Sequence, residues 1–471
     1  MKIARWFNVG ARRGGRVKGL GAICLSAWVC ASTVLAEEPG VLPGASALAL
    51  TPPGASSLVG RSGQAGPSQA EVRQLFWQAV QAAADRSPQL RRLQAEHQAA
   101  SSDVTEARGQ RLPQLDLGTR SRPLKWGAGS EFSDASSQGL DIQLVTPVYD
   151  WGRIAHTLSS RQLLAQAAAA AIEVELEDSA YAVTTTLLEL GKQRVIIELA
   201  EQFEARMSEL VDRLARIAAA DPGRSSELVQ ARARLLQAQS ARENAESQAA
   251  TAQIQLHRLV GERPMAIPRT RDWNIPPADL AILLAQVDGH PGIQRSEAGA
   301  EAARLQASIV RASALPRLDW VINKNTGKDA LGRDQPWQTA LTLNWSAFRG
   351  GSLRAAERAQ LQRAEAGREQ TEQLREELRL HIGSAHQLAQ ASLQRAELYQ
   401  ALVGETDAIR LAFHQQWYHL GKRSLLDVLG AESDHFANQV NEITSRFEGY
   451  QAIMRQYSAA GALIQWLRGG R

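Results

Sequence analysis

Residues 111–117 read RLPQLDL, and residues 314–320 read ALPRLDW, at an offset of 203. A second pair of related segments, 227–231 (ELVQA) and 427–431 (DVLGA), has an offset of 200. A repeat at a nearly constant period of this length is typical of a chain built from copies of one structural unit. We therefore predict that the fold is an internal duplication.

Each Leu-Pro pair in the repeated motif precedes a segment in which apolar and polar residues alternate. The first copy alternates over 115–122 and 140–148, and the second over 318–323 and 339–345. Alternation with a period of two predicts four strands with one apolar and one polar face, as in a transmembrane β-barrel with a water-filled interior. The alternative is a soluble sheet packed on a core, but the sequence offers no further strands to form that core.

Aromatic side chains cluster in or beside these strand segments, whereas the long helical stretches are nearly free of Trp. Aromatic rings prefer the boundary between membrane and water. We therefore predict a membrane girdle formed by Trp126, Tyr149, Trp151, Trp320, Trp337, Trp345 and Phe348.

Four strands are too few to close a barrel around a water-filled interior, since the smallest bacterial barrels have eight. An open sheet in lipid would leave backbone groups unsatisfied at both edges, at several kcal/mol for each group. The chain is therefore expected to oligomerise. Three copies would supply twelve strands and two copies eight.

The rest of the chain is predicted to be mainly helical. Only 5% of residues are aromatic, and two proline-free stretches, Arg153–Ala220 and 352–420, are dominated by Ala, Leu, Glu, Gln and Arg. Each stretch would form a helix of roughly 100 Å. The segments 226–260 and 280–314 are half as long, and laid end to end they match one long helix. We expect a tube of long helices and stacked half-helices, with an irregular belt midway.

The amino terminus has the features of an export signal. The first 36 residues carry six basic groups and no acid, and an apolar run from Gly19 to Leu35 ends before a cleavage site after Ala36. A retained membrane anchor is the alternative, but the run is short for that role. Removing six positive charges changes the net charge from +4 to −2, so no nucleic-acid partner is expected.

Both cysteines of the chain, Cys24 and Cys30, lie in this signal, so the mature protein is expected to have neither disulfides nor thiolate metal sites. The residues preceding each cysteine do not favour lipidation. Segment 37–69 is rich in Pro, Gly, Ala and Ser, and is predicted to be a flexible leader, with a binding tail as the alternative. The predicted organisation then continues with a first repeat over 70–261, a linker in the belt over 262–279, and a second repeat over 280–467.

Two motifs resemble those of a known family. Residues 418–429 read YHLGKRSLLDVL, and residues 145–153 read VTPVYDWGR. Together with the duplication they resemble the TolC family of outer-membrane efflux and type I secretion channel proteins, over about residues 70–467. The resemblance implies a homotrimer in the Gram-negative outer membrane. Its twelve-stranded barrel would contact outer-membrane lipid and continue into a long periplasmic α-helical barrel.

The resemblance also implies a gate at the periplasmic end. Tyr418 and Arg423 match residues that tie neighbouring coils closed, Asp427 matches an acid lining the aperture, and Glu227 takes the equivalent place in the first turn. A link between Arg423 and Glu227 is therefore expected. The turns are expected to contact a periplasmic adaptor protein through Gly223, Ser226, Gly421 and Ser424.

The chain departs from the family pattern at two places. Gly430 stands where a second aperture acid is frequent, so an acidic ring would be thinner unless Glu432 compensates. The first turn, 221–227, is about two residues shorter than its counterpart, and in this it resembles members that serve type I protein secretion.

The sequence contains no phosphate-binding loop, nucleophile elbow or His-Glu-x-x-His motif. We expect no cofactor, no metal and no enzymatic activity, so the energy for transport would come from an inner-membrane ABC or proton-driven transporter joined through the adaptor. The predicted function is a passive exit duct for type I protein secretion or small-molecule efflux. An autonomous periplasmic coiled-coil scaffold without channel activity is the alternative.

Overall fold

A computed structural model of the chain describes residues 66–120, 139–328, 333–418 and 422–469. The predicted signal and most of the predicted leader lie outside these residues. In chain order the elements are α1 (Gln69–Arg86), α2 (Pro88–Gly109), β1 (Gln114–Arg120), β2 (Gly139–Tyr149), α3 (Arg153–Ala220), α4 (Ser225–Val260), α5 (Leu280–Gln286), α6 (Pro291–Ser313), β3 (Arg317–Asn325), β4 (Gln338–Asn344), α7 (Ser352–Tyr418), α8 (Leu425–Ala459) and α9 (Leu463–Leu467).

The four strands form one antiparallel sheet in the order β1-β2-β3-β4. Their bounds confirm the predicted strand segments to within two residues at each end. Within the described residues, β1 pairs only with β2 and β4 only with β3. Among the described residues, one edge of each outer strand is therefore open.

The two longest helices are α3, with 68 residues, and α7, with 67. The bounds of α3 are those predicted from its proline-free composition. Its start is fixed by Asp150, whose carboxylate oxygens accept the Gly152 N–H at 3.1 Å and the Ile154 N–H at 2.7 Å. Gly152 has a φ of 78°, which glycine adopts without steric cost. The strand-to-helix motif thus ends the sheet sharply and directs α3 away from it. None of the described helices is at once long and apolar enough to cross a bilayer.

The helices pack as two rows that share α3 and α7. Nearer the sheet, α3 packs between α2 and α6, and α6 packs against α7. Farther from the sheet, α3 packs between α4 and α8, and α8 packs against α7. Alanine is frequent at the buried positions of these helices, among them Ala238 and Ala396. Small side chains let the helix backbones approach closely.

The half-helices stack differently from the prediction. The end of α4 at Gly261 lies beside Arg86, just before α2, and the end of α8 at Gly461 lies against His290 and Pro291, at the start of α6. The half-helices therefore stack as α2 with α4 and α6 with α8. The expected row of 226–260 with 280–314 is wrong, because helix lengths do not specify which ends meet. Segment 280–314 is also interrupted, since Pro291 starts a new helix there.

The largest core cluster lies around Trp273, which is fully buried in the segment between α4 and α5. Its ring lies 5.9 Å from Phe76 and 5.6 Å from Phe447, between ring centroids. The same segment is held to α8 by an ion pair between Arg446 and Asp272 at 2.7 Å. The irregular belt therefore has its own core, to which α1, α3 and α8 all contribute side chains.

Gly191 makes room for this core in the middle of α3. A Cβ atom added at Gly191 would lie 2.4 Å from Cζ2 of Trp273. Because real Cβ contacts are longer, any side chain at this position must push the indole out of its site.

We predict that Gly191→Ala lowers the free energy of unfolding by about 1–3 kcal/mol, since overpacking outweighs the better helix propensity of alanine. Thermal unfolding of the detergent-purified protein measures the effect. Gly404→Ala in α7 is the matched control, because its Cβ would meet nothing within 4 Å. The control should be neutral or stabilising. An equal melting temperature for wild type and Gly191→Ala would contradict this account of the core.

Candidate functional site

One face of the sheet is mainly apolar and the other is mainly polar. The register places Leu115, Leu144 and Ile322 opposite one another on the first face, with Thr339 at the end of the row. The next row, on the second face, is polar throughout and consists of Asp116, Gln143, Asn323 and Gln338. Leucines on the apolar face are exposed to the surroundings, including Leu115, Leu117, Leu341 and Leu343. A sheet with this pattern can separate an apolar environment from water.

The predicted aromatic girdle is exposed wherever the structure describes it, at Tyr149, Trp151, Trp320, Trp337, Trp345 and Phe348. Trp126 lies outside the described residues. Most of these side chains lie at the end of the sheet that joins the helices, and Trp337 precedes β4 at the far end. An interfacial role for them stays a prediction.

Two girdle tryptophans also brace the junction between sheet and helices. The indole N–H of Trp151 donates to the Pro316 carbonyl at 2.8 Å, and that of Trp345 donates to the Ala314 carbonyl at 3.1 Å. Both acceptors belong to the repeated motif between α6 and β3. The repeated motif that indicates the duplication therefore supplies the two carbonyl groups to which these indoles are hydrogen-bonded.

The turn between α3 and α4 lies at the end of α3 that is remote from the sheet. Asp221 accepts the N–H of Gly223 at 3.0 Å, and Pro222–Arg224 form one turn of 3₁₀ helix. Gly223 and Ser226 are exposed, and their contact with an adaptor stays a prediction. Glu227 lies 3.5 Å from Arg224, within the same turn.

The turn between α7 and α8 is stabilised by a capping box, in which Ser424 and Asp427 each accept the other's backbone N–H at 3.2 Å. The guanidinium of Arg423 lies 4.4 Å from the Phe413 ring, and its Nε donates to Gln416 at 3.2 Å. Asp427 is 4.0 Å from Arg423. Gly421 lies outside the described residues.

Tyr418 is exposed at the end of α7, and the guanidinium of Arg213 on α3 lies 5.6 Å from its ring. The two turns are therefore held to each other within one chain. The ion pairs of Arg423 and Glu227 in the described residues are with Asp427 and Arg224. The expected link between Arg423 and Glu227 stays a prediction for contacts between chains.

A charged cluster near these turns was not predicted from the sequence. Glu432 on α8 is buried, and its two oxygens accept from Arg206 on α3 at 2.9 Å and from Arg410 on α7 at 3.1 Å. Arg410 also pairs with Asp407 at 2.7 Å. That hydrogen bond lowers the pKa of Asp407 and keeps it ionised. The cluster cross-links the three helices behind the turns.

The carboxylate of Glu432 is buried between two arginines, so it is not exposed beside Gly430 as an acid of the expected ring would be. The sequence contained one signal for this. Leu425, Val428, Glu432 and His435 fall on one face of α8 at helical spacing, so an acid and a histidine occupy positions expected to be apolar. Their partners are far away in sequence and could not be identified from spacing.

Arg206 and Arg410 also line a groove of about 470 Å³ between α3 and α7, whose floor includes Met207, Leu210 and Val428. The arrangement supplies ion pairs and apolar packing but no catalytic constellation. Among the described residues, no group of three or more His, Cys, Asp or Glu side chains could hold a metal ion.

The geometry agrees with a family comparison. The model of the family described as "Outer membrane efflux protein" matches residues 79–262 and 287–462, which include all four strands and most of both helix rows. The chain belongs to the outer membrane efflux protein family. Members of this family are channel proteins, and the chain is located in the outer membrane. No curated protein sequence matches the chain significantly.

Solved structures of outer membrane channels share the fold of this efflux protein. The CmeC channel of Campylobacter jejuni matches with a TM-score of 0.73 and 15% identity, over 88% of this chain and 94% of that chain. VceC of Vibrio cholerae matches with a TM-score of 0.72 and 17% identity, over 84% and 99%. The open state of MtrE from Neisseria gonorrhoeae has a TM-score of 0.69 and 15% identity, over 83% and 90%.

We predict that Glu432→Ala lowers the free energy of unfolding of this efflux protein by about 2 kcal/mol or more, because it leaves two half-shielded arginines without their shared carboxylate. Urea unfolding of the purified protein measures the loss. Glu301→Ala, which removes an exposed pair with Arg304, should cost under about 1 kcal/mol. Equal losses in the two variants would show that the cluster does not stabilise the helix ends.

Proposed function

We propose that three copies of the chain assemble into a continuous duct across the outer membrane and the periplasm, which serves as the passive exit of a tripartite export system. The observation that carries this proposal is the sheet, with one face apolar, the other polar and both edges open. In lipid, each open edge requires a partner strand. The β1 edge of one copy would pair with the β4 edge of the next, giving twelve strands.

The helical part supports the same assembly. In the row farther from the sheet, α4 and α7 are the outer helices, and each exposes large apolar side chains. Those on α4 are Val229, Leu236 and Ile254, and those on α7 include Leu380, Leu398, Leu402 and Ile409. Adjoining copies would bury these side chains by packing α7 of one copy against α4 of its neighbour. Three such contacts would close a helical barrel below the β-barrel.

The gate of the duct would lie at the two turns, about 100 Å of helix away from the sheet. The capping box at Ser424 and the short turn at Asp221 give stiff, exposed ends that suit docking of a periplasmic adaptor. An inner-membrane ABC or proton-driven transporter would supply the energy through that adaptor. Exposed ion pairs such as that of Arg423 with Asp427 are individually weak, which suits contacts that a partner must open.

Single-channel recording in planar bilayers tests the proposal directly. The purified protein should insert and give discrete conductance steps, because the polar sheet face would line a water-filled pore. The alternative, a coiled-coil scaffold without channel activity, predicts that no conductance steps occur at any protein concentration.

We predict that Arg423→Ala raises the mean conductance or the open fraction of these channels. The substitution removes the contacts with Phe413, Gln416 and Asp427 that hold the second turn. Arg363→Ala, at an exposed position of α7 remote from the turn, is the matched control and should behave as wild type. If Arg423→Ala has the same conductance and open fraction as the wild type and Arg363→Ala, a gate at this turn is contradicted.

A separate prediction concerns the faces of the sheet. Leu341→Arg on β4 places a charge on the apolar face and should reduce assembly into the outer membrane, at a cost of about 2 kcal/mol or more near the bilayer midplane. Thr342→Arg, the adjacent residue on the polar face, should assemble at nearly the wild-type level. The amount of each variant in isolated outer membranes is the measurement. A reversed order would mean that the proposed lipid-facing side of the sheet is wrong.

A further inference from the structure

His290 stands at the point where α8 ends and α6 begins. It is the N-cap residue of α6, and its Nδ1 accepts the N–H of Gly292 at 2.9 Å. The ring also lies against the chain just after α8, at Gly461, where an added Cβ would lie 2.9 Å from the imidazole. One side chain thus joins the C-terminal end of one half-helix to the N-terminal end of the other.

This geometry fixes the proton on the ring. Because Nδ1 accepts from Gly292, it carries no hydrogen, so the single proton of the neutral imidazole lies on Nε2. The cap of α6 therefore requires an acceptor nitrogen at Nδ1. The imidazolium has two donors and no acceptor. It would place an N–H against the N–H of Gly292, and a positive charge at the N-terminus of a helix.

The charged groups around His290 come from several elements. Asp178 on α3 is the charged group with the main effect on the ring, and favours the imidazolium. Asp288, in the turn that precedes His290, is paired with Arg375 of α7 at 2.8 Å. Burial is the largest effect, and it lowers the pKa of His290 despite Asp178.

We propose that His290 is a proton-sensitive joint between α8 and α6. The neutral imidazole holds the two half-helices end to end, and proton uptake breaks the cap of α6 and loosens their junction. The joint would respond to protons in the same way whether or not the turns form a gate.

A small tilt at the joint produces a larger displacement at the far end of α8. This helix has 35 residues, or roughly 50 Å, between the joint and the second turn. A tilt of a few degrees at His290 would displace the remote end of α8 by several ångströms. A proton taken up at the middle of the molecule could therefore be sensed at the turns.

The direction of the pH effect follows from the lowered pKa. The folded protein disfavours the proton that the unfolded chain accepts, so the stabilising contribution of His290 is complete above the ordinary histidine pKa. It is lost as the pH falls through that value towards the lower pKa of the folded state. Loosening of the joint is therefore an acid response.

A neighbouring acid responds in the opposite direction and must be separated from the joint. Glu177 on α3 accepts the N–H groups of Leu463 and Ile464 at 3.1 and 3.2 Å, and burial raises its pKa to about 7. Because the folded state binds this proton more tightly than the unfolded chain, acidification from pH 7 towards 4.5 stabilises the fold through Glu177. A loss of protection on acidification therefore cannot come from Glu177.

Hydrogen–deuterium exchange of the detergent-purified protein between pH 7.5 and 4.5 tests the proposal. The readout is the protection factor of peptides that cover the first turn of α6, corrected for intrinsic exchange, with a peptide around Leu187 in α3 as the reference. We expect wild-type protection at α6 to fall about fivefold on acidification, as the loss of one helix cap implies. His290→Asn, which retains a capping acceptor but does not titrate, should stay constant within about twofold.

Two further variants complete the design. His290→Ala should lack the extra protection at both pH values, and Glu177→Gln should retain the wild-type acid response. The proposal is overturned if wild-type protection at α6 does not change with pH. It is equally overturned if His290→Asn loses protection on acidification as the wild type does.

Discussion

The structure depends on the hydrogen-bonding groups at the two open edges of a four-stranded sheet. One face of that sheet is apolar and exposed, so it requires lipid, yet lipid cannot satisfy the edges of β1 and β4. Both requirements are met only if further strands continue the sheet into a closed barrel. In the proposed duct, oligomerisation would follow from backbone chemistry. The long helices would extend the same assembly away from the membrane.

The helical part meets a different constraint, since helices of almost 70 residues must keep their register without a large core. Narrow alanine-lined contacts allow close approach, and the belt around Trp273 locks the helices at one level. Gly191 admits the indole at that level, and Asp272 holds the belt to α8. Beyond the belt, the cluster of Glu432 with Arg206 and Arg410 holds α3, α7 and α8 together near the turns. The belt and the charged cluster therefore hold the helices at two separate levels. The row farther from the sheet joins the nearer row where α8 stacks on α6.

The parts of the fold that sequence could predict were those encoded by short-range patterns. Strict alternation located the four strands, and the absence of proline over Arg153–Ala220 gave the bounds of α3. The stacking of α2 with α4 was missed, because it depends on which helix ends meet at Gly261. For the same reason the sequence did not identify the partners of Glu432, which come from two helices distant in the chain. His290 was not singled out either, since its role rests on the position of Gly461, which is distant in the sequence.

The number of copies that close the sheet is measured by native mass spectrometry of the particle extracted from outer membranes in mild detergent. We expect three copies of the mature chain, recovered from the membrane fraction and stable until the detergent is exchanged for a denaturant. A monomer recovered from the soluble fraction without detergent would contradict this expectation, because a single chain leaves both edges of the sheet open.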